Sequence, residues 1–297
     1  MSYYNDLSSL FGRANEHPPE GMLVIDSGYS HTTITPLVYG QPVQAAIRRI
    51  DIGGRMLTNR MKELISLRQF NLMDDTHLVN EIKEDTCFVS QDFRADLEQS
   101  WRPGKKGVDV NEPLLSTGKP VVVDYVLPNY HSTFRGRIRS HEPKPAAARF
   151  APKATMGDQA PVEDACVLGN ERFVVPEILF APSDIGVGQA GLAETVVQSL
   201  RALPAALWPA ILANVLLVGG NIKMPGFVER FEADLRSVVP TECPVQVRRP
   251  TDPVAYTWLG GTRLGRDEVA LRSHVVTREE YQEHGALWTS KQFLRPH

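Results

Sequence analysis

The pattern of apolar and polar positions predicts a mixed α/β fold. Three β-prone runs come first, at residues 23–26, 32–38 and 43–51, and a short polar turn separates each from the next. Successive strands joined in this way form an antiparallel meander. The apolar spacing then changes to the helical period, which predicts one helix that opens after Gly54 and another over 75–87.

The second half of the chain continues this alternation of strands and helices. Residues 215–218 are continuously apolar, which is typical of a strand covered on both faces. The strand runs into Gly219-Gly220-Asn221, and a helix is predicted from about Pro225. Further predicted elements are a strand over 245–249, helices near 192–203 and 207–212, a helix from Tyr256, and a last helix behind a capping box from Thr277 to Glu280.

The turn Asp26-Ser27-Gly28 is the first candidate for binding chemistry. A positive φ at Gly28 would let backbone N–H groups turn toward an anion, so the turn is a candidate phosphate site. Asp26 is a weak candidate for holding magnesium through water, because this cation prefers oxygen ligands and keeps several of its waters. The alternative is ordinary turn chemistry, in which Asp, Ser and Gly are common.

Two further places carry candidate chemistry. At Gly219 and Gly220 the missing Cβ atoms would let a flat ring or a ribose lie against the backbone; the alternative is a glycine turn without a ligand. Lys83 and Glu84 share the later turns of the helix at 75–87, where the alternative is a solvated charged face.

Composition and charge narrow the class of protein. The 297 residues are 42% hydrophobic and 23% charged, which is the balance of a soluble globular protein. A net charge of −3 gives no general attraction to nucleic acid or membranes. Three cysteines without zinc spacing favour a reducing compartment, and we find neither a signal peptide nor an apolar run of membrane-spanning length.

Residues 101–165 differ from the rest of the chain. Pro and Gly recur throughout, and one strand is predicted, over 121–127. Between Tyr130 and Thr155 six basic residues stand against one acid, which predicts a mobile basic loop that could contact DNA phosphates or an acidic partner. The alternative is a solvated insertion without a role. The six basic residues are Arg135, Arg137, Arg139, Lys144, Arg149 and Lys153.

Six motifs in register resemble the second half of actin. They extend over most of the chain from Leu23 to about Glu283, and the basic segment interrupts them. Further motifs, such as the runs at 124–128 and 175–180, resemble the nuclear family of actin-related protein six. The six motifs are Asp26-Ser27-Gly28 and the runs at 50–58, 82–89, 170–173, 217–226 and 258–261.

The resemblance implies an actin-like α/β fold of the ribonuclease-H-like superfold that actin shares with Hsp70 and sugar kinases. We expect its C-terminal lobe with an additional helical and mixed subdomain, and exposed apolar surface where the other lobe would sit. The two glycine-bearing turns should converge on one cleft. The expected divisions are an N-terminal remnant at 1–21, subdomain three at 22–53 and 188–255, subdomain four at 54–187 with the insertion at about 100–165, and a C-terminal strip of subdomain one at 256–297.

Actin's nucleotide contacts carry over to this sequence residue by residue. The resemblance therefore implies ATP as the cofactor, with magnesium bound beside it. The matching residues are Asp26, Ser27 and Gly28 in the second phosphate loop, Gly54 near the ribose, Lys83 and Glu84 beside the adenosine, Gly219, Gly220 and Asn221 in the adenosine turn, and Met224 beside the base.

The sequence departs from actin at positions that matter for ATP. Tyr29 stands where actin has a second acid, Ser30 where it has a glycine, and Val254 where it has a lysine near the adenine. The first phosphate loop and the helix with the water-positioning glutamine have no counterpart, which indicates a truncated gene product or half of a fold. Because phosphoryl transfer needs both loops and a positioned water, we expect no hydrolysis and little or no ATP binding.

The resemblance implies a non-catalytic scaffold that lies in the nucleus and also in the cytoplasm. The implied assembly is an ATP-dependent chromatin-remodelling complex that exchanges a variant histone into nucleosomes and influences transcription. The implied partners are a zinc-finger HIT-type protein and a Swi2/Snf2-type motor, with nucleosomes and histones contacted indirectly and no membrane. The alternatives are an ATP-binding or ATP-hydrolysing kinase-like enzyme, and a cytoskeletal, filament-forming actin relative.

Overall fold

A computed structural model describes residues 1–11, 19–101, 120–131, 133–141, 163–272 and 274–294, together with Leu115 and Gly118. The chain forms two compact units. Unit 1 contains the described residues of Met1–Gly54, Gln189–Lys223 and Phe231–His297. Unit 2 contains those of Arg55–Gly188 and Met224–Arg230. The expected assignment of segments to actin subdomains stays a prediction.

Strands and helices alternate along the chain, as the apolar pattern predicts. The strands are β1 (Gly21–Ser27), β2 (Thr32–Val38), β3 (Gln41–Pro42), β4 (Arg48–Ile50), β5 (Val123–Val126), β6 (Arg137–Ser140), β7 (Ala165–Leu168), β8 (Val215–Val218) and β9 (Val247–Arg248). The helices are α1 (Ser8–Phe11), α2 (Gly54–Arg68), α3 (Thr76–Thr86), α4 (Phe93–Trp101), α5 (Glu171–Glu177), α6 (Leu192–Leu200), α7 (Trp208–Leu212), α8 (Phe227–Val238), α9 (Tyr256–Arg266), α10 (Glu268–Arg272) and α11 (Arg278–Leu294). Among the described residues we find no helix with both the length and the apolar character needed to cross a membrane.

Unit 1 is built on a six-stranded mixed sheet. Its main path runs in the order β3-β2-β1-β8-β9, and β4 also pairs with β2. β1 is antiparallel to β2 but parallel to β8, and β9 is parallel to β8. The predicted meander is therefore confirmed, with one correction. The single strand expected over 43–51 is broken by a short 3₁₀ turn at Gln44–Ala46, and only Arg48–Ile50 pairs as a strand.

The N-terminal segment of unit 1 is part of the core. Leu7 and Phe11 are buried in one cluster with sheet residues, among them Met22 and Leu216. The amide of Asn5 donates to the Tyr256 carbonyl at 2.7 Å and so fixes the segment to the start of α9. The first residues thus cover apolar surface that the sheet would otherwise expose.

Unit 2 contains a three-stranded antiparallel sheet in the order β6-β5-β7. Phe88 and Phe173 pack in its aromatic core with their ring centroids 6.0 Å apart. The guanidinium of Arg172 is buried and lies over the Phe88 ring, and it donates to the carbonyls of Thr86 and Pro120. This cation therefore ties α3 and the segment before β5 to the start of α5.

The basic segment is more ordered than the sequence predicts. Residues 137–140 form strand β6 on β5, so the expectation of a mobile loop is wrong there. The cause is pairing of charges: Arg135 binds Asp85 at 2.7 Å, and Arg137 binds Glu163 at 2.7 Å. Three of the predicted basic residues lie outside the described residues, namely Lys144, Arg149 and Lys153.

Candidate nucleotide site

The hairpin between β1 and β2 holds the predicted phosphate turn. The Gly28 N–H donates to the His31 carbonyl at 3.1 Å, which closes the turn over Tyr29 and Ser30. Gly28 does not have the positive φ that we expected. Its N–H is used within the hairpin and does not turn toward an anion.

Asn221 joins the second glycine turn to this hairpin. Its amide nitrogen donates to the Ser27 hydroxyl at 3.0 Å and to the Gly28 carbonyl at 2.9 Å. Ser27 in turn lies 3.0 Å from the Thr32 hydroxyl, which donates to the Ile52 carbonyl at 2.9 Å. Every donor in this buried series of hydrogen bonds has an acceptor. The network therefore holds the turn at Asn221, the β1–β2 hairpin and the segment at Ile52 in one arrangement.

Gly219 and Gly220 have different roles. Gly219 has φ 102°, and a Cβ there would overlap the Ser27 carbonyl oxygen and lie 2.8 Å from Asp26 Oδ1. A Cβ at Gly220 would meet nothing within 4 Å. The missing side chain at Gly219 therefore serves the packing of β8 against β1, and only Gly220 leaves the open backbone that a ribose or base would need.

A third turn, at Gly53 and Gly54, reaches the same place. The Gly54 N–H donates to the Gly28 carbonyl at 3.0 Å, and a Cβ at Gly53 would lie 2.6 Å from the His31 nitrogen. The expected convergence of the two glycine-bearing turns is confirmed, because Asn221 contacts Gly28 directly. The turns meet at the carboxyl ends of parallel strands, where α/β sheets bind ligands.

Asp26 is the acid at this convergence. Burial raises the pKa of its carboxyl above the ordinary value, and the positive charge of His31 partly offsets the rise. The shift has the sign expected when a carboxyl loses contact with water, because burial disfavours its charged form. The described residues also contain no group of three or more His, Cys, Asp or Glu side chains placed to hold a metal ion. The magnesium role of Asp26 stays a prediction.

The other predicted site residues lie in unit 2. Lys83 is 4% exposed, so a solvated face is the wrong interpretation for it, whereas Glu84 is exposed. The Lys83 ammonium donates to Thr58 Oγ1 at 3.0 Å and Asn80 Oδ1 at 2.8 Å, and Asn80 donates to Glu84 at 2.7 Å. Burial lowers the pKa of Lys83, although nearby Glu84 opposes this.

The ten predicted cofactor residues thus form two groups. Seven belong to unit 1 and are held together by the Asn221 network, while Lys83, Glu84 and the buried Met224 belong to unit 2. In unit 1 the open backbone at Gly220 fits a sugar or a base. The hairpin fits a phosphate less well, because the Gly28 N–H already donates to the His31 carbonyl.

Sequence reasoning missed several residues that build these groups. Thr32 supports the hairpin, the Pro253 carbonyl accepts the Gly219 N–H at 2.9 Å, and Thr58 and Asn80 hold Lys83. Asn80 precedes Lys83 by three residues, a helical spacing that could have indicated the contact. The other three depend on pairs distant in sequence, for which the sequence contains no local signal.

Comparison with known proteins shows the family of the chain. A family model described as Actin matches residues 5–294 of the chain. The chain belongs to the actin family. Its α/β architecture is that of an actin-like fold, as the six motifs predict.

Within the actin family, the chain is similar to proteins named for actin-related protein 6. It is 49% identical to "Actin-like protein arp6" of Emericella nidulans over 99% of its own length and 62% of the relative's. It is 44% identical to "Actin-related protein 6" of Neurospora crassa over 98% of its length and 64% of the relative's. It is 41% identical to the Drosophila melanogaster protein of the same name, over 89% of its own length and 60% of the relative's. The chain thus spans less than two thirds of the length of these relatives. The identities confirm the predicted resemblance to the family of actin-related protein 6.

Proposed function

We propose that this actin-family chain is a non-catalytic scaffold subunit of a nuclear, ATP-dependent remodelling complex that exchanges a variant histone into nucleosomes. The observation that carries the proposal is the similarity to actin-related protein 6 over 98–99% of the chain in two fungal relatives. The proposed partners are a zinc-finger HIT-type protein and a Swi2/Snf2-type motor. Nucleosomes are contacted indirectly, and the protein is also present in the cytoplasm.

The phosphate hairpin supports a scaffold over an ATPase. Hydrolysis requires donors aimed at the transferred phosphoryl group and an oriented water. In this hairpin the Gly28 N–H is bonded to His31, and Tyr29, which replaces an acid of actin, is 52% exposed. Burial raises the pKa of Asp26 above its ordinary value. These residues serve the turn itself better than they serve a reacting phosphate.

The proposal does not require ATP, since the first phosphate loop of actin has no counterpart in the sequence and we expect little or no ATP binding. ATP would supply a sugar, a base and a polyphosphate with magnesium. In unit 1 the open backbone at Gly220 would meet the sugar or the base. The second candidate function, an ATP-hydrolysing relative, is favoured by one observation, the convergence of three turns at the carboxyl ends of β1 and β8.

A phosphate-release assay distinguishes the two functions. Purified chain with ATP and magnesium should release phosphate at the rate of buffer, and Asp26→Asn should leave that rate unchanged. Turnover well above buffer that Asp26→Asn abolishes would establish the enzyme instead.

For the scaffold, the purified chain should elute as one stoichiometric complex with the zinc-finger HIT-type protein and the motor. Separate elution from both proteins would refute the scaffold role.

A further inference from the structure

In the part of the chain that the structure describes, β7 lies at one edge of the three-stranded sheet of unit 2. Its four residues, Ala165–Leu168, include neither a charged residue nor a proline. An apolar edge strand presents backbone N–H and C=O groups with which a strand of another molecule can pair. Val167 is 39% exposed, so solvent reaches the strand. A strand of this composition needs protection at its outer edge if the chain is to avoid self-association.

The side chain of Gln69 makes the hydrogen bonds that a neighbouring strand would make. Its amide nitrogen donates to the Val167 carbonyl at 2.6 Å, and its side-chain oxygen accepts from the Val167 N–H at 2.7 Å. In an antiparallel ladder, a hydrogen-bonded pair of residues exchanges the same two bonds. Gln69 follows directly after the last residue of α2 and is exposed. Its amide therefore takes the place of one residue of a fourth strand.

Glu171 occupies the next outward position of the same edge. Its Oε2 accepts from the Gly169 N–H at 2.7 Å, and its Oε1 is bound by Arg68, the last residue of α2. The backbone groups of alternate residues in a strand face the same side, so those of Val167 and Gly169 both face away from β5. Two successive outward positions at the end of β7 are thus bonded to side chains.

The other edge of this sheet has a different protection. Strand β6 carries Arg137 and Arg139, both exposed, and charged side chains on an edge strand disfavour the addition of another strand. Because β7 has no charged residue for this purpose, the hydrogen bonds of Gln69 and Glu171 provide its protection instead.

We infer that Gln69 and Glu171 form an intramolecular cap that prevents β7 from pairing with β7 of a second copy of this chain. Two identical strands related by a twofold axis present the same groups to each other, so they can form an antiparallel ladder. Without the cap, Val167 of each copy would bond to the strand of the other copy. The Gln69 contact lies at the end of α2, where helices fray, so the closure depends on the side chain.

Removing the Gln69 amide from the full chain tests the cap. Gln69→Ala should lower the dissociation constant for self-association by at least about tenfold, because both backbone groups of Val167 become available for pairing. Analytical ultracentrifugation over a concentration series measures this constant. The matched control is Gln91→Ala, which removes another exposed glutamine of unit 2, one whose amide donates to the Gly226 carbonyl at 2.9 Å and not to a sheet edge. The control should change the constant by less than about twofold.

A proline at position 167 distinguishes strand pairing from a general loss of stability. Proline has no N–H, and an edge strand tolerates it where that N–H faces away from the sheet. Gln69→Ala with Val167→Pro should therefore return self-association to the level of the unaltered chain, although it removes a further backbone donor.

Three outcomes would overturn the inference. They are unchanged self-association of Gln69→Ala, association that persists when Val167→Pro is added, and association that Gln91→Ala shares equally. Circular dichroism and thermal unfolding confirm that each variant folds. If Gln69→Ala does not fold, Gln69→Leu gives the same comparison, because it keeps the bulk of the side chain and removes both hydrogen bonds.

Discussion

Gly219 and Gly220 are neighbours in one motif, but a glycine at each position meets a different structural requirement. Gly219 combines a positive φ with close approach to the Ser27 carbonyl, whereas Gly220 faces open space. The sequence shows both as glycines in a turn and predicts one role for the pair. Only the packing of β8 beside β1 distinguishes them, and this packing joins residues about 190 positions apart.

Alanine substitutions should separate the two glycines. Gly219→Ala adds backbone strain and an overlap with Ser27, so we expect it to lower the free energy of unfolding by at least about 2 kcal/mol. Gly220→Ala should change it by less than about 0.5 kcal/mol. Urea denaturation followed by tryptophan fluorescence measures both. Equal midpoints for the two variants would contradict the assignment of Gly219 to packing.

Asp26 should make the stability of the chain depend on pH. Its pKa is raised in the folded state by burial, so the folded chain binds the proton more tightly than the unfolded chain, whose carboxyl keeps its ordinary value of 3.8. Stability therefore falls as pH rises from the ordinary value through the raised one, and the loss persists at neutral pH. Asp26→Asn should consequently raise the denaturation midpoint at neutral pH, with a smaller gain in acid.

Asp51 provides a control of opposite sign. Hydrogen bonds from Arg49 and Gln189 lower the pKa of its carboxyl, so its contribution to stability is present above the ordinary value and is lost as pH falls through the lowered one. Asp51→Asn should therefore reduce stability at neutral pH and lose this effect in acid. Parallel pH profiles for the two variants would show that burial does not govern the pKa of Asp26.

At the scale of elements, local patterns predict most of the secondary structure. The helix expected over 75–87 is Thr76–Thr86, and the capping box is confirmed, because the Glu280 N–H donates to Thr277 Oγ1 at 3.2 Å. Strand β6 was not predicted, because its closely spaced arginines are typical of a solvent-exposed basic loop. Their pairing with Glu163 and Asp124 depends on the sheet, and no local pattern in the sequence shows those partners.

Breaking one buried ion pair should strongly destabilise unit 2. Glu177 of α5 accepts two hydrogen bonds from Arg230, at 2.8 and 3.1 Å, and their side chains are 6% and 14% exposed. Glu177→Gln would leave the guanidinium charge buried without its carboxylate, which typically costs about 3–5 kcal/mol. The exposed pair of Arg60 and Glu63 is the control, and Glu63→Gln should have almost no effect. Similar denaturation midpoints for the two variants would contradict this.

At the scale of the whole molecule, the motif order was sufficient to predict the family and the α/β class. In unit 1, Trp258 is 69% exposed and Val269 is 83% exposed. The expectation that apolar surface is exposed where another lobe would sit stays a prediction. What covers these residues in an assembly stays a prediction. The burial of Leu7 and Phe11 was not predicted, since helical spacing alone does not indicate which face of a sheet a segment covers.

The parallel pairing of β1 with β8 has a consequence for biosynthesis. Leu23 lies opposite Val215, and Asp26 lies opposite Val218. A ribosome must therefore add about 190 residues after β1 before its second neighbour, β8, exists. Until then the nascent chain carries an apolar strand with one uncovered edge, a state prone to aggregation. Production in cells should accordingly depend on chaperones that shield this edge during translation.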